Sequence, residues 1–309
     1  MVEQPTGLRF GDRLAGLVSA RESQIVLGLD PDPSRLWSGV SDEAGAGATP
    51  AERAAAAVAA HCRAVIDAVA ESCVAVKPQL ACFERLGAPG WRALAATCAH
   101  AQSRGLLVLA DGKRGDIDVS AKAYGQALVG STPTPFGDVP GLGADAFTAN
   151  PYMGVDTISV LAQAARDAGA GMFVLVRTSN PGAADVEDLV LDQGGTVWER
   201  VARIVGGLAE PADAGLSDIG AVVGATAPQH VARMRELMPM APFLLPGVGA
   251  QGGRAEDLAA AFAPGRAAGL ITASRAIVQA HEHGGGSPEQ AARAEAERLR
   301  TVAWALGDR

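Results

Sequence analysis

Lysine is scarce in this sequence. Of its 26 basic residues only Lys77, Lys113 and Lys122 are lysines, and the other 23 are arginines. Arginine stays protonated near neutral pH, whereas lysine can give up a proton, so each retained lysine is a candidate for proton chemistry. Lys113 lies in Asp111-Gly-Lys113-Arg-Gly-Asp116-Ile117. The two-residue spacing puts Asp111 and Lys113 on one side of an extended segment. Lys77 ends a separate apolar run, Cys73–Lys77. Brought together, two ammonium groups and at least one carboxylate make an alternating array that keeps the lysines protonated and fixed. A lysine held in this way can deliver a proton to a carbanion. A carboxylate placed against a substrate carboxylate would disfavour the bound state relative to loss of CO2. The bland alternative is a structural salt-bridge network.

A second motif, Pro246-Gly247-Val-Gly249-Ala-Gln251-Gly252-Gly253, formally matches the GxGxxG dinucleotide fingerprint. It falls late in the chain, and the next apolar run ends in Thr272-Ala-Ser-Arg275 instead of an acidic ribose ligand, which argues against a dinucleotide. Glycines allowing backbone N–H groups to approach, followed by an arginine fork, suit a phosphate group better.

These residues need a frame that brings them to one place. Eight apolar runs are expected as strands: Gln24–Asp30, Cys73–Lys77, Leu106–Asp111, Ala144–Asn150, Met172–Arg177, Ile219–Thr226, Phe243–Pro246 and Leu270–Ala273. Their continuous apolar character suits parallel strands covered on both faces. Helical stretches separate them, with N-terminal signals at Thr49-Pro-Ala-Glu52 and Ser287-Pro-Glu-Gln290. Eightfold strand–helix alternation predicts an α/β protein, a closed (β/α)8 TIM barrel, in which polar chemistry gathers at the C-terminal strand ends. Positions 1–309 then form a single barrel domain. Within it, 1–23 is an N-terminal helical extension, with a helix at Phe10–Arg21 capping the barrel bottom, and 31–49 and 131–143 are surface excursions rich in turn residues.

The 309 residues admit two domains of about 150 residues, but single barrels of about 250 are common. Apolar residues are 48% and charged residues 19%, which excludes a disordered chain. The net charge of −8 provides no overall basic field, so nucleic-acid binding is not expected. No signal peptide and no apolar run long enough for a bilayer stand out. Cys62, Cys73, Cys82 and Cys98 form no CxxC pair and are expected as reduced thiols in a cytoplasmic protein. Their spacing with His61 and His100 fits no zinc template.

With both motifs in hand, the sequence resembles the orotidine 5′-phosphate decarboxylase family, in its longer bacterial form, from about residue 27 to 277. The resemblance implies a cofactor-free, metal-free homodimeric barrel that converts orotidine 5′-phosphate to UMP and CO2, the last step of de novo UMP synthesis. It implies that Lys113 protonates C6, that Asp111 faces the substrate carboxylate, and that Lys77 completes the array and touches the ribose. It further implies that Asp116 and Ile117 reach into the partner's site, that Asp30 binds a ribose hydroxyl, that Ser179 bonds the pyrimidine, and that Gln251 and Arg275 hold the phosphate. Two departures stand out. Ser120 replaces a usual Thr, keeping the hydroxyl, and Ser274 precedes the phosphate arginine where Gly is usual. The alternatives are a Mg²⁺-dependent keto-sugar-phosphate decarboxylase or aldolase of the same suprafamily and an inactive phosphate-binding barrel. Relatives of the first kind hold Mg²⁺ partly with a carboxylate at the second strand end, where this sequence carries Lys77. No role emerges for Lys122, Asn150, Arg177 or Thr226.

Overall fold

All eight expected apolar runs become barrel strands. The computed structural model describes residues 7–40, 48–249, 251–284 and 286–307. The strands are β1 (Ile25–Leu29), β2 (Ala75–Pro78), β3 (Leu107–Arg114), β4 (Ser131–Thr132), β5 (Val139–Pro140), β6 (Ala146–Ala149), β7 (Gly171–Arg177), β8 (Ile219–Val223), β9 (Phe243–Leu245) and β10 (Gly269–Ala273). Among the described residues, eight of these close a barrel in the order β1-β10-β9-β8-β7-β6-β3-β2, every pairing parallel. The protein is a (β/α)8 barrel. Strands β1, β2, β6, β8, β9 and β10 are buried along their whole length. An outer ring of helices covers one face of each strand and interior side chains the other, so the runs carry no polar alternation.

The strand limits differ from expectation in one place that matters. β3 continues past Asp111 to Arg114, and its pairing with β6 slips between Ala110 and Arg114. The end of β3 is therefore bulged, which re-aims its side chains. The 131–143 segment holds the small antiparallel hairpin β4–β5, exposed on the surface. Within the 31–49 excursion, 41–47 lie outside the described residues. The part before them is tied down: Trp37 is buried, its ring edge-on to His61 at 5.4 Å and its Nε1 donating to the Val278 carbonyl at 2.9 Å. The helix Pro50–Val69 begins with the expected reciprocal cap between Thr49 and Glu52, and Ser287 accepts from the Gln290 amide at the start of Pro288–Leu306.

Of the N-terminal extension, 1–6 lie outside the described residues. The helix Phe10–Arg21 closes the barrel bottom. Phe10 is fully buried and meets Phe173 edge-to-face at 6.0 Å. A Cβ at residue 171 would lie 2.4 Å from the Phe10 ring, so Gly171 makes room for the plug. Polar contacts fix its angle: Asp218 accepts from Arg9 Nε at 2.7 Å and from the Gly11 amide at 3.0 Å, and Arg13 pairs with Asp145. Removing the ring leaves a cavity that this pinned helix cannot collapse into. Phe10→Ala should cost about 3–5 kcal/mol of stability in urea unfolding, and a loss under about 1 kcal/mol would show that the helix merely adheres to the barrel.

Candidate active site

At the C-terminal mouth a cavity of about 470 Å³ opens, and Asp30, Lys77, Asp111, Lys113, Ser179, Gln251 and Arg275 all line it. Seven of the ten site residues expected from the sequence are thus brought together from six strand ends. β1 leads to Asp30, β2 carries Lys77, β3 carries Asp111 and Lys113, β7 leads to Ser179, and β9 and β10 lead to Gln251 and Arg275.

One side of the mouth is an ion array. Lys77 Nζ lies 2.5 Å from Asp111 Oδ2, and Lys113 Nζ lies 2.7 Å from Asp111 Oδ1. Asp111 also accepts from Thr148 Oγ1 at 2.8 Å and from Gln79 Nε2 at 3.2 Å. Lys77 and Asp111 are buried, and Lys113 is exposed toward the cavity. Burial pushes the Asp111 carboxyl upward, but the Lys77 and Lys113 ammonium groups overcome this and hold it at about 2. Burial likewise pulls Lys77 down, and Asp111 with Asp30 reverses this to a net rise. Asp111 and Lys77 therefore both carry their charges at neutral pH.

Lys113 reaches Asp111 by a route that simple alternation does not foresee. Its φ is +48°, a left-handed conformation that side chains rarely adopt. Two residues of the neighbouring strand end hold it there. Thr148 Oγ1 accepts from the Lys113 amide at 2.9 Å, and Asn150 Nδ2 donates to the Lys113 carbonyl at 2.9 Å. Asn150 sits so close that a Cβ at Gly115 would come within 2.9 Å of it. Thr148 and Gln79 line the cavity and bond Asp111, positions that sequence reasoning missed. The available signal was a polar i, i+2 pair, Thr148 and Asn150, closing an otherwise apolar strand.

The opposite side carries an exposed cation. Arg275 is exposed, and its guanidinium has no hydrogen bond or ion pair within the described residues. The glycine loop behaves differently from expectation. The amides of Gly249, Gly252 and Gly253 donate to carbonyls inside the loop, at 2.9, 2.8 and 3.0 Å. The glycines serve the turn itself, with φ of +102°, +79° and +88° at 247, 249 and 252. The Gln251 and Arg275 side chains add donors that line the cavity. Ser274, with φ of −115°, needs no glycine. Instead Gly28 yields to it, since a Cβ there would lie 2.8 Å from Ser274 Cβ.

Three expected residues stay outside this cavity. Asp116 Oδ1 accepts from the Ile117 amide at 2.8 Å, Ile117 is 54% exposed, and Ser120 is exposed. Lys122 lines a separate groove between the helices Asp118–Leu128 and Val155–Asp167. Arg177 pairs with Asp188, and Thr226 Oγ1 donates to the Ser179 carbonyl at 3.0 Å. Among the described residues no group of three or more His, Cys, Asp or Glu is placed to hold a metal ion.

The fold and this mouth define a (β/α)8 barrel that faces a lysine–aspartate–lysine array against an uncommitted arginine. The sequence profile of the orotidine 5′-phosphate decarboxylase / HUMPS family matches residues 23–294, and the chain belongs to that family. A relative from Deinococcus radiodurans, named orotidine 5′-phosphate decarboxylase, is 45% identical over 238 residues, covering 76% of this chain and 82% of its own. One of the same name from Rhodopirellula baltica is 39% identical over 282 residues, 89% of this chain and 90% of its own. The solved structure of Leishmania donovani OMP decarboxylase superposes with a TM-score of 0.70 at 30% identity, covering 96% of this chain and 99% of that one.

The array also sets a pH dependence. Asp111 keeps its charge down to about pH 2 in the folded chain, against an ordinary value of 3.8. A folded value below the unfolded one adds stability above about pH 4, and that contribution is lost as pH falls from about 4 to about 2. Urea unfolding at about pH 5 and about pH 3 should show wild type losing more stability than Asp111→Asn; equal losses would mean that the lysines do not hold this carboxylate.

Proposed function

We propose that this enzyme is a carboxy-lyase that decarboxylates orotidine 5′-phosphate to UMP and CO2, the closing step of de novo UMP synthesis. The observation that carries this reading is Asp111 clasped between Lys77 and Lys113, at 2.5 and 2.7 Å, across one cavity from the uncommitted Arg275. Arg275 and Gln251 take the phosphate, Asp30 and Lys77 the ribose, and Ser179 the pyrimidine. The phosphate grip lies away from the reacting carbon, so its binding energy serves to press the substrate carboxylate toward ionised Asp111. The C6–carboxyl bond breaks, its electron pair stays on C6, and CO2 departs. The Lys113 ammonium gives its proton to C6, and water restores it.

Family kinship also covers barrels of the keto-sugar-phosphate kind, for which a divalent cation would be needed beside the end of β2. Lys77 Nζ occupies that position against Asp111 Oδ2, and an ammonium there opposes a divalent cation. Two lysines and two aspartates balance in charge, so we infer a reaction without metal or other cofactor.

We also infer a homodimer with shared sites, a single barrel domain and a cytoplasmic setting. Asp116, Ile117 and Ser120 do not line their own cavity, which leaves them available to complete a partner's. Ile117, Val119, Phe136, Val139, Tyr152 and Met153 are large apolar residues left exposed, surface that a second copy would cover. The cytoplasmic inference rests on four unpaired thiols, three of them buried. No described helix is long and apolar enough to cross a membrane.

In an assay following pyrimidine absorbance, run with EDTA present, Lys113→Arg and Lys113→Ala should each lower kcat by about 10²–10⁴-fold. Near-normal turnover by Lys113→Arg would make the residue a counter-ion, and loss of wild-type turnover in EDTA, restored by Mg²⁺, would favour the keto-sugar-phosphate reading.

Sharing is tested by mixing subunits. Lys113→Ala and Asp116→Ala should be nearly inactive alone. Reassorted at random, about half the dimers are mixed and one of their two sites is intact, so roughly a quarter of wild-type activity should return. No recovery despite confirmed exchange would mean that Asp116 serves its own chain.

A further inference from the structure

Two consecutive carboxylates outside the mouth, Glu187 and Asp188, have no part in the chemistry above. Both bind the short peptide at the end of β7 that carries Ser179. Asp188 takes Arg177 in a fork, with Nε to Oδ1 at 3.0 Å and Nη2 to Oδ2 at 2.8 Å. Arg177 Nη1 in turn donates to the Thr178 carbonyl at 3.2 Å. Glu187 Oε2 accepts from the Thr178 amide at 2.9 Å, and Glu187 Oε1 accepts from Thr178 Oγ1 at 3.0 Å. From the other side Thr226 Oγ1 donates to the Ser179 carbonyl at 3.0 Å, and Gly224 packs so closely that a Cβ there would lie 2.8 Å from Ser179 Cα.

The clamp is itself anchored. The Glu187 carbonyl accepts from the Trp198 amide at 2.9 Å, and Trp198 is buried at the start of the wall helix Val197–Leu208. A continuous chain of contacts thus runs from the barrel wall to the backbone on both sides of Ser179. Ser179 lines the cavity, and its hydroxyl has no hydrogen-bond partner among the described residues. A fixed backbone with a free hydroxyl is the arrangement expected of a preorganised ligand contact.

We propose that Glu187 and Asp188 are positioning residues, which hold the Arg177–Thr178 peptide so that the Ser179 hydroxyl meets the pyrimidine; this rests on the reading of Ser179 given above. Charge-assisted bonds at both residues resist the displacement that an isolated strand end would allow. Their contribution must therefore pass through Ser179, and a double-mutant cycle isolates it.

The experiment makes Glu187→Ala and Asp188→Ala, each in wild type and in Ser179→Ala. It measures kcat/KM on orotidine 5′-phosphate and the binding of UMP and of ribose 5-phosphate. Each clamp variant should lower kcat/KM by about 10- to 100-fold and weaken UMP comparably. Ribose 5-phosphate, which lacks the pyrimidine, should bind within about twofold of wild type, and in Ser179→Ala the clamp variants should add less than about threefold. Should the alanine variants fail to fold, Glu187→Gln and Asp188→Asn keep one acceptor oxygen and report the same cycle. Losses that multiply on top of Ser179→Ala, or that fall equally on ribose 5-phosphate, would overturn the clamp alone. A fully active Ser179→Ala would overturn the reading of Ser179 and the clamp with it, and a wild type without turnover would defeat the reaction itself.

Discussion

A carboxylate buried between two ammonium groups is the constraint around which this barrel mouth is arranged. Taking an ion out of water costs several kcal/mol even after relaxation, and only close opposite charges with further hydrogen bonds offset it. Asp111 has both. Two lysines contact its two oxygens, and Thr148 and Gln79 donate to what remains. The array consequently resists neutralisation, with Asp111 held at about 2 despite burial. The reaction proposed above uses that charge, because repulsion toward a substrate carboxylate exists only while Asp111 is ionised.

The backbone bears the strain of assembling this array. Consecutive strand geometry would aim Asp111 and Lys113 in parallel, but the ladder slip in β3 and the positive φ at Lys113 bend the lysine over its own carboxylate. A left-handed lysine costs about 1 kcal/mol or more. Thr148 and Asn150 hold the peptide on both its amide and carbonyl sides, so the conformation persists before any ligand arrives. On the opposite wall three glycine amides bond inside their own loop, and Arg275 is left uncommitted.

Much of this was legible in the chain itself. Eight apolar runs separated by capped helices specify the barrel, because parallel strands covered on both faces cannot tolerate polar alternation. The replacement of lysine by arginine at nearly every cation singles out Lys77 and Lys113, and the spacing of Asp111 and Lys113 marks a strand end. What only the tertiary structure decided are contacts between residues remote in sequence. The bonds from Thr148 and Asn150 to Lys113 span 35 and 37 positions. The glycine loop looked like a donor cradle until its amides were seen to close on one another. Asp116 and Ile117 share a motif with Lys113 yet do not line its cavity. Periodicity reports which face of an element is buried. It carries no record of which neighbour's hydroxyl or amide will meet a strained peptide, since that depends on the barrel's closure and stagger.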